Sequence, residues 1–471
     1  SYICVMGEYR QPRDIEIVKF MLWNYDFSKK TDIRAITAEF AIFEDIQVNT
    51  LQGTLVLYDA VDLIQEFPII GEETIEIEFR VPGEKTSIKG SFRIYKISNR
   101  QRGKTDTGQL YVLYFVSNEY YKNLQVKVKK SFRDMPVSKM VEKVFENYLV
   151  EKPNIGNVWS PKKLLTNEES ATQQTIVIPN LNPFGAIKFL ADRAESVDNK
   201  SSTYTFYEDH NGFHFTTFES FMEQEPVHTY NYEPSNIDTK NPNTVGTKDR
   251  RDAYTVSSFE IVKTFDVLTN MLGNMYSGEV LTHDIIRKEY TTHSFDYKKD
   301  FEDKTSGMKH LEKGNKLVSD EADFTSSEGH KLFLPTELKQ TENNYIKAKI
   351  EAERDVPAED KRVVIHPTYR ERFLLKRNSF LSGMNNIVIN ITIPGDHELV
   401  PGNVVKFDMP SATSLEGVPM YDSKFSGKYL ITQLKHKFVQ DTFITEMELI
   451  KDTYLNKAEH KLNSKAEHKK L

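Results

Sequence analysis

Short runs that alternate apolar and polar side chains, each closed by a turn, constrain this chain more than any other feature. In TIEIEFRV, Ile75, Ile77, Phe79 and Val81 point one way while Glu76, Glu78 and Arg80 point the other, the period of a strand with one buried face and one wet face. GTLVLYDA, GSFRIYKIS and LYVLYFVSN repeat the pattern within residues 33–130, separated by turn-rich VPGEK and RQRGKTDTG. Half-buried strands of this kind belong to antiparallel sheets, and several in succession predict a barrel or sandwich. A supply of 29 Phe and 23 Tyr agrees, because bulky aromatic side chains fit pleated surfaces. With 471 residues the chain exceeds one core and divides into about three or four domains.

Helical spacing replaces the alternation in RDMPVSKMVEKVFENYLV, where Val137, Met140, Val141, Val144, Tyr148 and Leu149 form a stripe and Pro136 is allowed in the first turn. NPFGAIKFLADRAES predicts a second helix, with Asn182 as cap, Pro183 as first residue, and Phe184, Ile187, Leu190, Ala191 and Ala194 on one face. TYTFYEDHNGFHFTTF reads as a hairpin turning on Asn211 and Gly212, both with positive φ. EPSNIDTKNPNTVGTKDRRD is predicted to be a long exposed connection, and residues 295–365 a polar insertion with few positions for a core. After helical HPTYRERFLLKRNSFLSGMN, with Tyr369, Phe373, Leu374, Phe380 and Leu381 at helical spacing, a second set of strands arrives. NIVINITI places Ile387, Ile389, Ile391 and Ile393 on one face, and NVVKFDM, GKYLITQLKHKF and FITEMELI follow. The whole reads as β-rich α+β, with two β-barrel-like domains around inserted α+β material. Its expected units are 1–130 (first barrel-like domain), 131–225 (α+β), 226–262 with 383–451 (second barrel-like domain), 263–382 (polar insertion and helix) and 452–471 (charged tail).

Charge and motifs narrow the function. Lys and Arg number 62 against 69 Asp and Glu, a net charge of -7, which argues against a surface made to grip a phosphate backbone. A lone cysteine, Cys4, rules out an internal disulfide and a cysteine-built zinc site, and reads as a small buried hydrophobe. No apolar run is long enough to cross a bilayer, and SYICVMGEYRQPRD lacks the pattern of an export signal. His210 and His214 are four apart, a zinc spacing on a helix, but the Asn-Gly turn sets them across a hairpin, and neither His283 nor His293 has ligands at metal spacing. No metal or cofactor is expected. GxSxG, GxxxxGK[ST] and GxGxxG are all missing, so no catalytic residue is assigned. Glu72 and Glu73 in GEET read as solvent-facing charges at a turn, KKDFEDK and EAERDVPAEDKR as solvated faces, and the repeated KAEH of the tail, with His460 and His468, as a solvated helix. Trp23 and Trp159 stand far apart and read as buried.

ELVPGNVVKFDMPS, SGKYLITQLKHKF and TEMELI together resemble the second tube-like domain of central baseplate hub proteins of contractile-tailed bacteriophages, and the related N-terminal region of type VI secretion spike proteins. The resemblance rests on Leu399, Pro401, Gly402, Gly427, Tyr429, His436, Thr445 and Leu449, with Asn403 where Asp is common. AIFEDIQVNTLQGTLVLYDAVDLIQEFPIIGEETIEIEF is similar to the opening barrel of such hubs, and the order of segments matches up to about residue 450. The resemblance implies a non-enzymatic homotrimer in the tail baseplate of a virion, assembled in the host cytoplasm. Its pseudo-sixfold ring would join a hexameric tail tube to a trimeric central spike, contact other baseplate proteins and let DNA pass without inserting in a membrane. Pro401, Gly402, Gly427, Tyr429 and Gly71 are then turn and barrel residues, and Lys406, Asp408 and Lys435 candidate interface residues. The competing readings are a tail-associated cell-wall hydrolase and a carbohydrate-binding tail protein.

Overall fold

The computed structural model describes residues 14–67, 69–102, 108–150, 158, 161–171, 173–198, 200–232, 254–284, 289–300, 309–312, 331–333, 370–415, 418–422, 424–439 and 442–454. The first group of strands is β1 (Glu16–Trp23), β2 (Lys30–Asp32), β3 (Thr37–Asp45), β4 (Gln52–Asp59), β5 (Thr74–Arg80), β6 (Ile88–Arg102) and β7 (Gln109–Ser117). A middle unit carries β8 (Val128–Pro136), β9 (Leu164–Thr166), β10 (Gln173–Leu181), β11 (Tyr204–Asp209) and β12 (Gly212–Thr217), with helices Val137–Tyr148 and Pro183–Ala191. Then come β13 (Thr229–Asn231), β14 (Ser258–Lys263), β15 (Ser277–Asp284), β16 (Glu289–Asp296), β17 (Lys331–Phe333) and the helix Arg370–Met384. The chain closes with β18 (Ile387–Pro394), β19 (Val404–Asp408), β20 (Pro410–Leu415), β21 (Val418–Tyr421), β22 (Gly427–Val439) and β23 (Thr442–Lys451).

The β-rich α+β expectation is borne out, but the two groups of strands are not separate sheets. They join in one 13-stranded sheet, in the order β14-β18-β23-β22-β3-β4-β7-β6-β5-β1-β2, with β19 and β13 branching from β22. The long strand β22 makes the join. Its residues Gly427–Leu430 pair with Val404–Phe407 of β19, and further along the same strand Gln433–Val439 pair with β3. A register shift between Ile431 and Gln433 separates the two stretches, and such a bulge re-aims a strand toward a new neighbour. At the far side of the last group, Asn231 of β13 bridges Thr255 just ahead of β14.

The cores follow the sequence pattern. Ile75, Ile77 and Phe79 are buried and Val81 half-buried, while Ile387, Ile389, Ile391 and Ile393 are all buried. The core of the first group contains Phe438 and Phe443 from the last group, and Phe79 meets Phe443 edge-on at 5.8 Å. A second core gathers the two helices of the middle unit around Phe206, Phe213 and Phe215. Asn182 caps its helix as expected, accepting from the Gly185 N–H at 3.0 Å, with Pro183 in the first turn. Pro136 sits one place before the other helix, which begins at Val137.

Several expectations need correcting. Only Gly212 of the hairpin turn has positive φ, at 145°. The turn is held by Asp209, whose Oδ1 accepts from the N–H groups of Asn211 (2.7 Å) and Gly212 (3.1 Å), so Asn211 need not adopt a left-handed conformation. Glu72 is exposed, but Glu73 is buried, its carboxylate accepting from the N–H groups of Ile70 (2.7 Å) and Gly71 (2.9 Å). The first residues of the predicted polar insertion contribute to a core. Phe295 and Tyr297 are buried with Met275, Tyr276, Val280 and Leu375 in a small core made by the β15–β16 hairpin and the Arg370–Met384 helix. Trp23 is only half-buried, its Nε1 donating to Glu76 at 3.2 Å. Cys4, Trp159, Tyr369, the connection at 233–252, most of the insertion and both KAEH repeats lie outside the described residues.

Candidate assembly interface

The three glycines named from the sequence all have positive φ, and two of them, Gly402 and Gly427, also leave no room for a side chain. Gly402 has φ +94°, and a Cβ there would stand 2.8 Å from Phe221 Cε1. Its N–H donates to Ile431 O at 2.8 Å, tying the Pro401 turn to β22. Gly427 opens β22 at φ +129°, where a Cβ would meet Glu312 Oε1 at 2.6 Å and Lys451 Nζ at 2.9 Å. Gly71 also has positive φ, with nothing nearer than 3.9 Å. Tyr429 is fully buried, and its hydroxyl donates to Phe425 O. Leu399 and Leu449 are buried beside it in one core.

The three candidate interface residues do not converge. Lys406 and Asp408 form an ion pair at 3.2 Å on β19, where the intervening Phe407 and the preceding Val405 are buried. Lys435 lies where β22 meets β3, opposite Phe43, and pairs with Glu446 across β22 and β23 at 3.0 Å. Around it the open face of the joined sheet sets charged side chains among the exposed apolar Phe43 and Val48. An open cleft of about 530 Å³ there is lined by residues including Asp45, Glu260, Asn390, Glu446 and Glu448. Partial burial and the Glu448 charge push the Asp45 carboxyl up, against a hydrogen bond from the Gln47 N–H. Beyond the cleft, Lys437 pairs with Glu39 at 3.2 Å. This face therefore presents alternating charge with acids in excess, rather than a basic groove for nucleic acid.

Behind that join, the middle unit is locked to the first group. Asn49 Nδ2 donates to Phe206 O at 2.8 Å, Thr205 Oγ1 to Ile46 O at 2.6 Å, and the Leu51 N–H to Glu208 Oε2 at 2.9 Å. Lys162 Nζ reaches Glu119 at 2.9 Å and Glu208 at 2.5 Å. Burial works against the Lys162 charge, but the two carboxylates outweigh it and hold its pKa above the usual lysine value. Burial pushes Glu208 up to about 7 despite Lys162. No spacing in the sequence marks this triad, because its members come from three separate segments.

His210 and His214 do not share a site. His214 Nε2 lies 2.9 Å from Asp209 Oδ2, whereas His210 Nδ1 lies 3.0 Å from Glu44 Oε1 on β3. Burial opposes the His210 charge, yet Glu44 outweighs it and the net shift is upward. Burial raises Glu44, against the pull of His210. His436, buried on β22, is pushed down to about 3 by burial and then by the neighbouring His210 and His397.

No protein-family model matches the chain. A probable baseplate hub protein, gp334 of Vibrio phage KVP40, is 24% identical over 460 residues, spanning 96% of this chain and 98% of the relative. Among solved structures, the 43 kDa tail protein of prophage MuSo2 from Shewanella oneidensis matches with a TM-score of 0.51 at 9% identity, over 92% of this chain and 98% of that one. The tail protein from Neisseria meningitidis MC58 matches with a TM-score of 0.48 at 10% identity, over 92% of this chain and 97% of its own. The chain thus shares the fold of the MuSo2 tail protein. Along nearly its whole length it resembles a baseplate hub protein, as the sequence reading expected.

Proposed function

We propose that this chain is the structural hub of a contractile tail baseplate, without enzymatic activity, seated in the virion between the tail tube and the central spike. The observation that carries the proposal is the end-to-end likeness to a probable baseplate hub protein. The joined sheet supports a more detailed reading. Each chain supplies two groups of strands, linked edge to edge through β22 and β3, so three chains give six groups, enough to meet a sixfold tube on one face and a threefold spike on the other. In that ring Pro401, Gly402, Gly427 and Tyr429 are wall residues that set strand register. The open face, with Lys435 at its centre, lines or borders the conduit, and Lys406 and Asp408 belong to a separate contact. Excess acid on that face lets DNA pass without sticking.

Light scattering of the purified chain over a range of concentrations tests the ring. A species of three times the chain's 54.6 kDa is expected. A monomer at every concentration, with or without added tube and spike proteins, overturns the trimer.

A further inference from the structure

We propose that Glu44, His210 and His436 bind one divalent transition-metal ion, of the zinc class, which clamps the middle-unit hairpin to the junction of β3 and β22. One donor atom from each of the three side chains falls within 4.8 Å of the others. Glu44 Oε1 stands 3.0 Å from His210 Nδ1 and 3.9 Å from His436 Nε2. Tetrahedral ligands around zinc, at bonds of about 2.0–2.2 Å, are separated by about 3.3 Å, so the observed spacings bracket the requirement. Small side-chain rotations close the difference.

Three further observations point to a ligand rather than to an ordinary polar core. The Glu44 and His436 side chains are fully buried, yet Glu44 Oε2 and His436 Nε2 have no hydrogen-bond partner. Buried polar atoms in native proteins are nearly always paired, and an unpaired one calls for a partner such as a water or an ion. The other His436 nitrogen, Nδ1, lies 3.3 Å from Thr445 Oγ1. With Nδ1–H donating to that hydroxyl, Nε2 turns its lone pair toward Glu44, the outer-sphere arrangement that metal-bound histidines adopt. Finally, the His210 side chain keeps 10% exposure at the hairpin tip, an entry path for an ion. Two imidazoles and one carboxylate, with a position left for water, make a donor set that suits zinc or cobalt better than magnesium or calcium.

The three ligands come from β3, the turn between β11 and β12, and β22, separated by at least 166 residues. The clamp is thus formed only after the two strand groups and the middle unit have docked. It stands whether or not the chain forms a ring.

The test uses the untagged full-length chain, stripped with a chelator and then equilibrated with Zn²⁺ or Co²⁺. About one ion per chain is expected by mass spectrometry of the metal, together with a visible cobalt absorption band and a higher Tm than the stripped protein. His210→Gln, whose amide can still hydrogen-bond Glu44, should lose the ion, the cobalt band and the rise in Tm on adding metal. Thr445→Val should weaken metal affinity about 10–100-fold without abolishing it. If the wild type retains no ion, or His210→Gln retains the same amount, the proposal falls, the second outcome placing the ion elsewhere on the chain.

Discussion

Gly402 and Gly71 share a left-handed backbone but differ in what surrounds them, which separates two sources of strain. At Gly402 a side chain meets both unfavourable φ and the Phe221 ring at 2.8 Å, so Gly402→Val should lower stability by about 2–4 kcal/mol. At Gly71 the space is open, and Gly71→Ala should lower stability by about 1–2 kcal/mol from backbone strain alone. Urea unfolding of both variants checks the order, and equal effects would mean that the Phe221 contact is relieved freely. Glu219 makes a pH-dependent prediction. Buried beside Thr203, its carboxyl is pushed from an ordinary 4.5 up to about 7, first by burial and against hydrogen bonds from Ser201 and Thr203. Between those values the folded chain holds a proton that the unfolded chain has lost. The stabilisation is thus complete below pH 4.5 and falls as pH rises to 7, by about 3 kcal/mol. Relative to Glu219→Gln, wild-type stability should decline across that window and then run parallel, and a flat difference refutes the shift.

At the scale of elements, β22 and the β11–β12 hairpin carry the organisation. Strand β22 exchanges one partner for another along a single edge, and the hairpin is held against the loop after β3 by hydrogen bonds and the Lys162 triad. Lys162→Met would leave Glu119 and Glu208 buried without a cation. The loss should be about 3–5 kcal/mol, with faster amide exchange in Phe206–Phe215, the paired hairpin residues. A loss below about 1 kcal/mol would show that the triad is not what fastens the hairpin. These elements were largely legible beforehand. The cap at Asn182, the stripe through Val137 and Val144, and the isoleucine face of β18 are local and periodic, so neighbouring residues report them. The burial of Glu73 was missed because a carboxylate folding back onto Ile70 and Gly71 looks, in sequence, the same as one facing water.

For the molecule as a whole, the joined sheet presents one open face that crosses both strand groups, and the acids around Lys435 give that face its sign. Reversing three of them, Glu260→Lys, Glu446→Lys and Glu448→Lys together, should turn an acid-rich face into one that binds duplex DNA, with affinity falling steeply as salt rises. Gel-shift assays at two ionic strengths measure this. If the wild type already binds DNA as tightly as the triple variant, the reading of the face as a non-adhesive lining is wrong. Because these residues point away from the cores, the cost in stability should be limited to the Lys435–Glu446 pair, the Thr432–Glu448 hydrogen bond and local charge repulsion, about 1–3 kcal/mol.

Apolar–polar alternation marked the strands that line the two main sheet cores, helical spacing marked three helices, and the order of segments along the chain carried the resemblance to baseplate hubs. Each of these depends on residues a few places apart, which is the range over which backbone period and turn chemistry act. Which edges would meet was beyond that range. The pairing of β22 with β3 joins residues nearly 400 places apart, and it rests on a bulge and on shared core side chains that no local pattern records. The same holds for Glu44, His210 and His436. In the sequence nothing links the three, since His210 stands out only for its spacing from His214 and His436 only for its place in a strand, and they become neighbours because docking the hairpin onto the junction removes them from water together.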